Sequence, residues 1–193
     1  MTATVPCCTI TTEAKHGKSS LEQSPNRLFS ASRPETFYGT VACDRLPSVV
    51  NREGPTAYIV NTDPHDKPGK HWIALWTEDN VCEILDSYAL PLQEYKTTDP
   101  LIEWLERHYK VQVYSQKTLQ SAFSQSCSDY ALMFLVLKAR GANMQDFLSL
   151  FSSKDFVNND RIVGRWLRAR VVDQLAWTQL KPADQINPTC GRL

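Results

Sequence analysis

Apolar and polar positions fall first into short strand-like runs and later into runs of helical period. "TAYIVNT", Thr56 to Thr62, has the β-branched and aromatic content of a strand, and "DPHDKPGK" after it is a loop rich in Pro, Gly and Asp. "HWIALW" and "VCEILD", beginning at His71 and Val81, are two further strand-like runs joined by the polar "TEDN", which reads as a four-residue hairpin loop. Pairing Trp76 with Val81 across that loop sets His71 opposite Asp86. It also stacks Ile73 on Ile84 and Leu75 on Cys82, and sends Trp72 and Leu85 to the other face. Both faces are largely apolar, which predicts a hairpin central in a sheet covered on both sides.

"TDPLIEWLERHY" reads as a helix capped by Thr98 or Asp99, with Pro100 in its first turn and Leu101, Trp104, Leu105 and Tyr109 along one face. "VQVYSQ" alternates as a strand, with Val111 and Val113 on one side. In "QSAFSQSCSDYALMFLVLKARG" the block from Ala131 to Leu137 is apolar all round, and Lys138, Arg140 and Gly141 are stop signals. That pattern predicts a buried central helix with Cys127 at or near its N-terminus, preceded by a polar loop. "MQDFLSLF" and "NNDRIVGRWLRARVVDQLAW" are helix-like, and the last dozen residues look irregular. Residues 1–33 are rich in Ser, Thr and charge without periodicity and are expected to form a flexible tail ahead of one domain, 34–193. The expected class is α+β: a central mixed, antiparallel-containing sheet flanked by helices.

A chain of 193 residues with 42% hydrophobic content is long enough for one sizeable core, and 21 basic residues balance 21 acidic ones. Net charge therefore lends no support to general nucleic-acid or membrane-surface binding. No apolar run reaches the length of a membrane span, and the N-terminus lacks the features of a secretory signal, so an intracellular setting is expected. The six cysteines (Cys7, Cys8, Cys43, Cys82, Cys127, Cys190) contain no CxxC pair, and His16, His65, His71 and His108 do not cluster with them. Neither a metal site nor a disulfide framework is expected.

Cys127 is set apart by its position. The nucleophilic form of cysteine is the thiolate, and a helix N-terminus and a neighbouring histidine both favour it. A cysteine there is also a serviceable core residue, and a lone histidine at a strand edge is commonly satisfied by a backbone partner. Opposite Asp86, however, an imidazole gains a carboxylate that fixes its tautomer and stabilises its charged form. Gln120 and Gln125 are either solvated loop residues or amide donors to an oxyanion.

His-Trp on a strand, an acid on the next strand and Gln-x6-Cys opening a buried helix together resemble the adenovirus protease (adenain) family, in the clan of SUMO and ubiquitin-like cysteine proteases. "FYGTVACDRLP", "AYIVNT" with "GKHWIALW", and "LQSAFSQSCSDYALMFL" are each similar to segments of that family, over roughly residues 35–140. The resemblance implies an adenain-like cysteine peptidase fold and peptide-bond hydrolysis through a thioester. Cys127 would be the nucleophile, His71 the general base, Asp86 its orienting acid, Gln120 the oxyanion donor and Trp72 a packing wall. Implied substrates are viral precursor proteins of capsid or core, cut near Gly-rich sites by a monomeric enzyme of the host nucleus and virion. No cofactor is needed for the chemistry itself. The family also implies activation by a capsid-derived peptide and by DNA. Its activating disulfide uses a cysteine eleven positions before the glutamine; Tyr109 stands there, so that disulfide is not expected.

Ser128 and Asp129 follow the cysteine where the family commonly has glycine next. Glycine permits close backbone approach, and a carboxylate facing the thiol would oppose the thiolate. A deconjugating protease for a ubiquitin-like modifier, or a non-catalytic interaction protein of the same fold, are the alternatives, the second favoured by a disabled oxyanion loop.

Overall fold

Five strands lie side by side in chain order: β1 (Phe37–Ala42), β2 (Thr56–Asn61), β3 (Trp72–Glu78), β4 (Val81–Leu85) and β5 (Val111–Tyr114). In this computed structural model residues 36–180 are described; the expected N-terminal tail and irregular C-terminal residues lie outside them. The outer pairs β1–β2 and β4–β5 are parallel and the inner pairs antiparallel, a mixed sheet with β3 at its centre. β1 was not legible as a strand. Its residues alternate between half-buried and exposed, and the register shifts between Phe37 and Gly39, where Gly39 takes φ 151° at the irregularity.

Period two sorts the sheet into two faces. Tyr58, Val60, Ile73, Leu75, Cys82 and Ile84 point to one, where Leu101, Trp104 and Leu105 of helix α1 (Asp99–His108) meet them. Ala57, Ile59, Ala74, Trp76 and Leu85 point to the other, against α2 (Cys127–Lys138) with α3 (Met144–Ser149) and α4 (Phe156–Leu180) behind it. Both faces of β3 are thus sealed, as its continuous apolar pattern requires. Each fully buried Leu on these faces contributes about 1.5–3 kcal/mol by leaving water. From Tyr130 to Val136 every residue of α2 is buried, so the helix has no polar face and serves as the core of the second layer. Its end is marked by Gly141 at φ 94°, with the Ala142 N–H returning to the Leu137 carbonyl at 3.1 Å.

Two local expectations are corrected. The β3–β4 connection is a two-residue turn, Asp79–Asn80, because Glu78 pairs with Val81 and Thr77 with Cys82. Asp79 accepts φ 52°, a conformation its short polar side chain tolerates, so β3 runs two residues further than a "TEDN" loop allows while β4 still starts at Val81. Leu75 consequently faces Ile84 rather than Cys82, and His71 is not directly opposite Asp86. A slip of two residues preserves side-chain parity, so every residue stays on its expected face. The second correction concerns the cap of α1. Thr98 occupies the N-cap position but its hydroxyl makes no capping bond; it turns back to the carbonyls of Leu92 (2.5 Å) and Tyr95 (2.9 Å). That choice ties the segment after β4 to the start of α1.

Candidate active site

His71 sits one residue before β3, and its carbonyl accepts the Thr62 N–H at 2.9 Å, so it is held by the ladder it precedes. Gly69 makes this approach possible. It takes φ 85°, and a Cβ there would stand 2.3 Å from Asn61 Nδ2, so only glycine lets the loop close against β2. Asp86 follows the last residue of β4, and its backbone is braced by Ser115, whose Oγ accepts the Asp86 N–H (3.1 Å) and donates to its carbonyl (2.9 Å). The two side chains meet diagonally across the strand ends: His71 Nε2 lies 2.8 Å from Asp86 Oδ1, with both residues buried. A carboxylate only accepts, so Nε2 carries the proton and Nδ1 is the basic nitrogen.

The carboxylate is satisfied further by groups the sequence did not disclose. Tyr88 donates its backbone N–H to Oδ1 at 2.8 Å, and the Tyr95 hydroxyl donates to Oδ2 at 2.5 Å. These bonds offset the cost of burying a charge. Burial, then the Asp86 charge and the hydrogen bond to it, push the Tyr95 phenol far up, so it remains a donor. The same two tyrosines stack on the imidazole, the Tyr88 ring at 5.0 Å and 29°, the Tyr95 ring at 5.4 Å and 14°. These ring contacts and the Asp86 hydrogen bond together restrain rotation of the imidazole.

Cys127 is the first residue of α2 and is buried. Its charge is the smallest of the influences that raise the Tyr95 phenol, after burial, Asp86 and Tyr88. Gln120 is buried as well. Its Oε1 accepts from Ser87 Oγ at 2.7 Å, and its Nε2 donates to the Ser124 carbonyl at 2.9 Å. Gln125 is exposed in the same loop, whereas Trp72 is half-buried and packs against the α2-side core. Ser87, Tyr88, Tyr95 and Ser115 were missed because nothing in their spacing links them to residue 86; only the adjacency of Ser87 to an acid ending a strand hinted at a role.

Asp129 does not face the thiol. Two residues on along a helix point to opposite sides, and its charged neighbours are Arg168 and Asp160 of α4. Burial, partly offset by Arg168 and reinforced by Asp160, pushes its carboxyl up to about 6. Among the described residues no cluster of three His, Cys, Asp or Glu could hold a metal, and no helix is long and apolar enough to cross a membrane.

No protein-family model matches the chain, and no curated protein matches it. Among solved structures it is similar to two crystal structures of the ASFV pS273R protease. The selenomethionine form is 22% identical, covering 56% of this chain and 43% of its own, with a TM-score of 0.39. The second is 15% identical, covering 67% of this chain and 59% of its own, with a TM-score of 0.45. The chain spans about half the length of these structures. The functional reading therefore rests on the chain's own geometry.

Proposed function

We propose that the chain is a cysteine endopeptidase in which Cys127 attacks, His71 moves the proton and Asp86 orients His71. The observation that carries this reading is the buried His71 Nε2–Asp86 hydrogen bond. It commits one ring nitrogen to the acid and leaves Nδ1 for a thiol at the start of a buried helix. The Cys127 sulfur bonds to the scissile carbonyl carbon as the C=O π electrons move to oxygen. Gln120 Nε2 and the Cys127 backbone N–H, at a helix start where such groups point outward, receive that oxyanion. Collapse expels the amine with a proton from His71, and water, deprotonated by His71, releases the acid from the thioester. By resemblance to adenain the substrates are viral precursor proteins cut near glycine, with a capsid-derived peptide or DNA as activators and the host nucleus and virion as the setting.

The test is the pH dependence of iodoacetamide alkylation at each cysteine, in the wild type and in His71→Ala. Cys43 and Cys82 supply internal controls: burial first, then nearby carboxylates, push Cys43 up to about 11 and raise Cys82 too. Cys127 is expected to alkylate well below the pH of an ordinary thiol and to lose that reactivity without His71. Ordinary thiol behaviour of Cys127 in the wild type would sink the reading.

A further inference from the structure

Ser87 grips Gln120 twice. Its carbonyl accepts the N–H groups of Leu119 (2.8 Å) and Gln120 (3.1 Å), while its hydroxyl meets the Gln120 side chain at 2.7 Å. Ser87 is itself buried and directly follows Asp86. We propose that Ser87 is a positioning residue that holds the Gln120 amide with its NH2 end toward the nucleophile. The inference deepens the protease reading and rests on it for its catalytic consequence.

A primary amide has two ends of nearly equal shape and opposite chemistry: Oε1 only accepts and Nε2 only donates. The Ser124 carbonyl can only accept, so the end 2.9 Å from it is Nε2. The other end is then Oε1, and the Ser87 hydroxyl must be its donor. Nε2 carries two hydrogens; Ser124 takes one, and the second is the one assigned to the oxyanion. Remove the hydroxyl and Oε1 is left buried without that donor, so the amide swings to find another.

The backbone of this loop is anchored independently. The Leu119 carbonyl accepts from Asn159 Nδ2 of α4 at 3.0 Å and lies 3.2 Å from the Tyr130 hydroxyl of α2, and the Thr118 hydroxyl donates to the Tyr88 carbonyl at 3.1 Å. Ser87→Ala keeps the carbonyl that holds the Gln120 backbone, so it changes amide orientation and leaves loop placement alone. One turn after β4 thereby aligns both the acid and the oxyanion donor.

The experiment compares full-length wild type, Ser87→Ala and Ser87→Thr by two readouts. The first is the side-chain NH2 resonance pair of Gln120 in 15N-labelled protein, assigned by its disappearance in Gln120→Glu. The second is reversible binding of a short peptide ending in glycinal, measured beside iodoacetamide alkylation of Cys127. The thiolate adds to the aldehyde carbon, the C=O π electrons pass to oxygen, and that oxygen takes a proton from His71 to give a thiohemiacetal. Alkylation needs the thiolate but no oxyanion donor.

The expected result for Ser87→Ala is a shifted, faster-exchanging Gln120 pair. Aldehyde affinity falls about tenfold or more while alkylation stays unchanged, and Ser87→Thr restores both. An unmoved Gln120 pair, or wild-type aldehyde affinity in Ser87→Ala, overturns the proposal. If wild-type Cys127 neither alkylates early nor takes the aldehyde, the protease reading fails, and the Gln120 resonances alone uphold or overturn the orientation role. Should Ser87→Ala not fold, Ser87→Cys, of similar volume and a weak donor, is read the same way.

Discussion

Asp129→Asn tests whether burial or pairing governs the carboxylate two residues after Cys127. Asp129 stands in the first turn of α2, half-buried against α4, with its carboxyl raised from the ordinary 3.8 to about 6. The folded state therefore holds a proton that the unfolded chain has already lost between about pH 4 and 6. Its favourable contribution is complete below about pH 4 and lost as pH rises through about 6. A shift of roughly two units at about 1.4 kcal/mol per unit makes the ionised carboxylate cost at most about 3 kcal/mol above pH 7. The helix N-terminus favours a negative charge by about 0.3–1 kcal/mol, which brings the net nearer 2 kcal/mol. Asparagine, neutral at every pH and nearly the same shape, removes the cost. Thermal unfolding followed by circular dichroism from pH 4 to 8 is the assay. At pH 4 the two proteins should melt together, and at pH 8 the variant should melt about 4–8 °C higher. A variant equal to or less stable than wild type at pH 8 would show that Arg168 and the helix dipole outweigh desolvation. Because residues two apart on a helix point to opposite sides, Cys127 alkylation should be unchanged in the variant.

Two other substitutions probe the frame of the site. Tyr95→Phe deletes the donor to Asp86 Oδ2 in a buried setting, so urea unfolding should show a loss of about 1–3 kcal/mol, with slower Cys127 alkylation; unchanged values for both would remove Tyr95 from the cluster. Gly69→Ala forces a Cβ onto Asn61 Nδ2 at positive φ and should cost about 2 kcal/mol or more. Combining it with Asn61→Ala should recover the steric part only, and strictly additive losses in that pair would refute the close-approach argument.

Local pattern was sufficient wherever a physical requirement is itself local. Apolar, β-branched and aromatic runs marked β2, β3 and β4, and alternation along the β3–β4 hairpin assigned its two faces, since burial on both sides demands an unbroken apolar run. Pro100 and the spacing of Leu101, Trp104 and Leu105 marked α1, and the apolar block after Cys127 marked α2 as buried. His71 and Cys127 stood out because a strand end and a helix start are recognisable; Asp86 was reached through a hairpin register of the right parity, and Gln120 was chosen over Gln125 only by the family resemblance.

What the tertiary structure alone decided are the relations between segments. The two-residue turn at Asp79 set the β3–β4 register, because the sequence bears equally well a longer loop with the same parity. Parallel pairing of β1 with β2 and of β4 with β5 is not closed by a tight turn, and edge strands that are only half-buried carry too little apolar pattern to announce it. Tyr88 and Tyr95 around His71, Ser115 under Asp86, and Ser87 on Gln120 are contacts made after the chain has turned back on itself. Polar side chains that satisfy buried partners follow no period, so they become visible only when the groups they satisfy have been brought together. The surroundings of Asp129 belong to the same class. Sequence placed it two residues from the thiol in a helix, and only the packing of α4 made Arg168 and Asp160 its charged neighbours.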